Sequence, residues 1–234
     1  MGFLGSMNLS PVFAVEDTDT PGDKRWEINF GASGARSMSG WTIGGPELDL
    51  NYGWGERTQL VAAVAWITQT KAGVQNQSGL GAGIIGSKWR FLDQETAGFS
   101  MSTFPQYSAN LDHDAEGRGI VEPGSRFLLP LTVGYKVGNL GIYGEVSRMF
   151  ANVAPNESAY GLKLLHQCAT GLECRLEIRR LNIPQLASQT LVSAGFKWNL
   201  TEKFLLRAGI GREFGPRDDG QENLQVQLGV QILR

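Results

Sequence analysis

No stretch of the chain reaches the roughly 18 consecutive apolar residues that a transmembrane helix requires. If the chain spans a membrane, it does so as a closed β-barrel, the other architecture that satisfies every backbone polar group in lipid. An excess of either charge is also missing: 21 Lys and Arg face 23 Asp and Glu, for a formal net charge of −2. That balance leaves no basic footprint for nucleic acid, which is not expected as a partner. Histidine is limited to His113 and His166, and cysteine to Cys168 and Cys174. The nucleophile-elbow, phosphate-loop and helical metal motifs are absent from the sequence. No catalytic residue, cofactor or metal site is expected, and the chain does not read as an enzyme.

What is present is alternation. In the last stretch, 222–234, Leu224, Val226, Leu228, Val230 and Ile232 share one parity, while Gln225, Gln227, Gly229 and Gln231 share the other. Successive strand side chains point to opposite faces, so this is a strand with one greasy and one wet face. Similar patterns, some less clean, run over 24–33, 45–54, 58–67, 80–91, 97–107, 126–137, 140–148, 158–167, 175–181, 190–200 and 203–213. Pro105 and Pro130 lack an amide donor, and each predicts a bulge or a strand end. A hydrophobic content of 41% with 31 glycines fits a folded chain of one large all-β domain.

Connector length carries further information. Short connectors fall at 55–57, 92–96, 138–139, 168–174 and 201–202, alternating with mostly longer ones at 34–44, 72–79, 108–125, 150–157, 182–189 and 214–221. An even strand number, short periplasmic turns and longer outer loops characterise outer-membrane barrels, and a Greek-key sandwich would not keep that rhythm. The expected fold is therefore all-β: a closed antiparallel up-and-down transmembrane barrel of about 12 strands, both termini periplasmic. A soluble closed barrel or sandwich would put the apolar face inside, but about twelve strands enclose a bore too wide for side chains to fill. The apolar face then belongs against outer-membrane lipid and the polar face in the lumen. Lumen-lining candidates are Glu47, Asp49, Lys88, Arg90, Lys136, Lys163, Arg179, Lys197 and Arg207. Their opposed charges would either set selectivity or close the bore through ion pairs. Trp26, Trp41, Trp54, Trp66, Trp89 and Trp198 lie near strand ends, where interfacial girdles belong.

Residues 1–14 are mostly small and apolar, and Val12-Phe13-Ala14 has the small residues of a cleavage site, so this stretch is expected to be a shortened export leader. Residues 15–23 are expected to be a periplasmic segment and 24–234 the barrel. Cys168 and Cys174 flank a hairpin tip and are expected to form a disulfide in an oxidising compartment. Metal ligation competes for them, with His166 as only a third ligand. His166 shares parity with Leu162 and Leu164 and should face outward near the periplasmic rim. His113 lies in Leu111-Asp112-His113-Asp114 of the longest outer loop, an acidic stretch read as solvated.

The run Glu16-Asp17-Thr18-Asp19-Thr20-Pro21-Gly22 before Trp26-Glu27, then Leu50-Asn51-Tyr52-Gly53 before a short turn, then Gly81 to Phe91 ending Lys88-Trp89-Arg90-Phe91, resembles the outer-membrane barrels grouped as meta-pathway of phenol degradation proteins, often labelled transporters. The resemblance covers the layout from about Glu16 to Arg234. It implies a Gram-negative outer-membrane channel or transporter for small aromatic or apolar solutes, inserted by the barrel-assembly machinery. It supplies no catalytic residues. Barrels of this kind usually end on an aromatic residue, whereas this sequence ends Ile232-Leu233-Arg234. A lipid-acting outer-membrane enzyme, which would need a histidine-activated serine, and a non-transporting structural or adhesive barrel are the alternatives.

Overall fold

Alternation builds the wall. A computed structural model describes residues 12–71, 73–184, 188–216 and 222–234. Its strands are β1 (Trp26–Arg36), β2 (Gly40–Trp54), β3 (Thr58–Lys71), β4 (Gln77–Leu80), β5 (Ala82–Leu92), β6 (Ser100–Thr103), β7 (Gln106–Asn110), β8 (Ser125–Val137), β9 (Leu140–Ala151), β10 (Glu157–Ala169), β11 (Leu172–Asn182), β12 (Gln189–Asn199), β13 (Phe204–Phe214) and β14 (Leu224–Leu233). Two one-turn helices, α1 (Gln94–Ala97) and α2 (His113–Gly117), sit in connectors. Both β4 and β5 pair with β3, and both β6 and β7 pair with β8, so the 14 strands make a 12-stave barrel.

The barrel closes where β1 meets β14, in register from Glu27 opposite Leu233 to Arg36 opposite Leu224. Arg234 takes part in the closure: its amide and carbonyl bond the carbonyl and amide of Trp26 at 2.9 and 2.7 Å. No edge is left to pair with another chain along this seam. Gln225 and Gln231 are buried inward, while Val226, Leu228 and Val230 face out.

The outer surface is an apolar band. Leu129, Leu131, Val133, Val146, Leu162, Leu176, Ile178, Val192 and Ile210 are all exposed there. From Trp26 to Arg36 on β1 the strand rises roughly 33 Å, or roughly 24 Å when tilted by about 45°, which matches the height of a barrel's lipid-facing band. At the end with the short turns, Trp26, Trp54, Trp89 and Trp198 are exposed; toward the other end lie Trp66, Phe150, Tyr160 and Phe214. Burying such a surface in lipid rather than water is the favourable arrangement.

Several elements differ from the sequence reading. β2 begins at Gly40 rather than 45, because a bulge between Gly44 and Glu47 shifts the register and turns Trp41 outward beside Arg36. The tip expected at 168–174 shrinks to Thr170 and Gly171, since β10 and β11 continue to either side of it, and Gly171 takes the positive φ of the turn. Pro105 does interrupt its stave. Pro130 causes no register shift against β9, because it falls where β8 passes from β7 to β6 and its amide side meets that interruption. Residues 1–11 of the expected leader, and positions 72, 185–187 and 217–221 of the expected loops, lie outside the described residues.

Candidate functional site in the barrel lumen

The segment before β1, read from the sequence as the end of a leader and a periplasmic stretch, runs inside the barrel. It enters at the short-turn rim, where Thr20 Oγ1 donates to the Glu56 carbonyl at 2.8 Å and Lys136 Nζ reaches Asp19 at 2.7 Å. Deeper, Thr18 shares a 2.7 Å hydroxyl bond with Ser100. The Glu16 amide donates to Glu145 and the Ala14 amide to Glu177, at 3.0 and 2.9 Å. An extended segment cannot satisfy its own amides, so lumen carboxylates of the wall act as acceptors for it.

The wall is shaped for these side chains. A Cβ added at Gly209 or Gly195 would lie 2.5 or 2.6 Å from the Phe13 ring, and one at Gly161 would lie 2.5 Å from Val15. Val12, Val15 and Thr18 are almost wholly buried. At the rim, the Gly22 carbonyl crosses β2 so closely that a Cβ on Gly53 would be 1.7 Å from it.

Charge fixes the segment to the wall. Lys88 Nζ donates to Glu16 Oε2 at 2.9 Å and to the Asp17 carbonyl at 3.2 Å. The Asp17 carboxylate lies 3.7 Å from both Lys88 and Lys163. Burial alone would raise the Asp17 pKa, but Lys88, Lys163, Arg175 and Lys197 together hold its carboxyl well below the usual carboxylate range. Lys88 also stands over Phe104, and Lys163 over Tyr143, at 5.2 and 5.6 Å from the ring centres.

Of the lumen candidates, Asp49, Lys88, Lys163, Arg179, Lys197 and Arg207 surround a cavity of about 340 Å³ that remains beside the segment. Glu47 is buried inward and bonds Ser33, close to Asp49 and Arg207. Arg90 and Lys136 sit at the short-turn rim instead, where Arg90 pairs with Asp93 at 2.7 Å. The segment itself was not among the sequence candidates. Its signal is the acidic run Glu16-Asp17-Thr18-Asp19, complementary to inward lysines on Lys88, Lys136 and Lys163.

At the opposite mouth a second connector folds inward. It carries α2 and buries Ala115, Ile120 and Val121 against Ala65 and Ile67 of β3, and Gln69 donates to the carbonyls of Gly119 and Ile120. His113 opens α2 at this mouth, whereas His166 faces out near the Thr170–Gly171 tip at the other rim. The two histidines therefore cannot share a site. Cys168 and Cys174 are bonded to each other beside that tip. Among the described residues no cluster of three or more His, Cys, Asp or Glu could hold a metal ion.

No family model and no curated protein matches the chain. Solved structures do resemble it. The COG4313 outer membrane channel from Pseudomonas putida F1 superposes with a TM-score of 0.71 at 12% identity, covering 95% of this chain and 100% of that one. The KdgM porin gives 0.63 at 10% identity over 88% and 98%, and the NanC porin 0.58 at 8% over the same shares. At such identities the likeness establishes the fold that this chain shares with outer-membrane porins and channels.

Proposed function

We propose that the chain is an outer-membrane channel for small solutes, assembled by the barrel-assembly machinery, with its longer loops outside, its termini on the periplasmic side and its lumen gated by residues 12–20. The observation that carries this reading is the set of pairs between Lys88, Lys163 and Lys136 on the wall and Glu16, Asp17 and Asp19 on the segment. Side-chain ion pairs in a partly wet lumen are modest in strength and can be exchanged for solute or water. Once the segment leaves, the two lysines that share Asp17 lose that partner and face the bore.

The resemblance to the meta-pathway group favours small aromatic solutes, and the bared lysines favour a carboxylate. An aromatic acid satisfies both. Planar-bilayer recording of the full chain and of a variant lacking 12–20 tests the gate, and liposome uptake of benzoate against benzylamine tests the solute. Absence of conductance in both chains would sink the channel reading.

A further inference from the structure

Every Asp, Glu and Lys that lies on a strand has inward parity. The charged strand residues of outward parity are Arg36, Arg148, Arg180 and Arg212. All four lie on the half of their strand that leads to the longer loops. They occupy alternate staves of one side: Arg148 is opposite Ser158 on β10, Arg180 is opposite Tyr160 and Thr190, Arg212 is opposite Val192, and Arg36 is opposite Leu224. Among the described residues none of them pairs with a carboxylate. Their contacts are a Ser158 hydroxyl for Arg148, a Thr190 hydroxyl for Arg180, and aromatic faces at Trp41 and Phe214 for Arg36 and Arg212.

Beside Arg180 the outer wall is concave, and Arg148 lies two residues along β9 from Val146 of the same concavity. A groove of about 620 Å³ is lined by Val133, Val146, Tyr160, Leu162, Ile178 and Arg180. Its floor is Gly144, where an added side chain would meet nothing within 4 Å. A missing side chain on a lipid-facing strand leaves room for an acyl chain. Arg180 in its lining, with Arg148 on the same outer face two staves away, offers planar donor forks that suit phosphate oxygens. Arginine is tolerated on the lipid face near the interface and disfavoured at mid-membrane, which fits a partner at headgroup depth.

We infer that this groove binds a phosphorylated glycolipid of the outer leaflet, with one acyl chain over Gly144 and the phosphate held by Arg180 and Arg148, the cationic belt continuing to Arg212 and Arg36. The leaflet rests on the orientation proposed above. Binding itself requires no conduction.

The full chain in detergent, read by native mass spectrometry, would be given bisphosphorylated lipid A, the same lipid dephosphorylated, and phosphatidylglycerol. Retention of the bisphosphorylated lipid is expected, with about a ten-fold or larger loss for Arg148→Gln/Arg180→Gln. Gly144→Leu, which keeps both charges but fills the groove, is expected to weaken retention as well. Equal retention of the dephosphorylated lipid overturns the proposal, and that comparison uses the unaltered chain, so it does not depend on a variant folding. Preference for phosphatidylglycerol overturns the choice of lipid. A chain that holds lipid A yet never conducts would remove the channel reading and leave this site standing.

Discussion

Lys88 of β5 donates to Glu16 across a 2.9 Å contact, joining the barrel wall to the segment that runs inside it. Removing this ammonium leaves two acidic side chains in the lumen with fewer partners. Lys88→Met is expected to weaken the seated segment by about 1–3 kcal/mol, less than for a fully buried pair because Glu16 is part-exposed. Single-channel recording should show open events about ten-fold more frequent or more. Unchanged open probability would separate the segment from the gate.

The pH dependence follows from Asp17, whose carboxyl is held below its ordinary value of 3.8 when the segment is seated. The seated form prefers the charged carboxylate, so its advantage is complete above the ordinary value and is lost as pH falls through the lower, seated one. Acidification below about pH 4 is therefore expected to weaken the seated segment progressively and raise conductance step by step, and Asp17→Asn should remove that acid response. A conductance that falls on acidification in the unaltered chain would contradict this assignment.

Depth on the outer face provides a test of the lipid contact. Leu228 is 57% exposed in the middle of β14, while its neighbour Gln227 points into the lumen. Leu228→Arg should lower unfolding stability in vesicles by about 2–4 kcal/mol, with a much smaller change for Gln227→Arg. Equal, small effects at the two positions would mean that the apolar band does not meet lipid.

Gly53 allows the chain to turn into the barrel, since its missing side chain accommodates the Gly22 carbonyl. Gly53→Ala should displace this crossing and cost about 1–3 kcal/mol. The checks are a lower temperature of heat-modifiable migration and a raised basal conductance in the same variant.

The wall was legible because period-2 patterning survives in strands such as β12 and β14, where inward glutamine, serine and lysine alternate with valine, leucine and phenylalanine. Register was legible only where that pattern was unbroken. At Gly45–Pro46 the bulge reverses parity, so Trp41 and Ile43 face outward although a continuous strand would turn them in. Residues 12–20 were opaque for another reason. Their form is set by the amide acceptors Glu145 and Glu177 and the counter-charges Lys88 and Lys163, which lie far away in sequence. Short apolar residues ahead of an acidic run look the same whether they precede a barrel or occupy it.

Because residues 12–20 are joined to β1 through only the short stretch up to Trp26, the gate proposed above would act as a tethered ligand. Rebinding is intramolecular, and a short flexible tether presents its ligand at an effective concentration on the order of millimolar. Under that proposal a free solute carboxylate would compete with a local reservoir of Asp17 and Glu16. The barrel would then respond to abundance rather than to trace amounts, staying shut until the outside concentration approaches that set by its own chain.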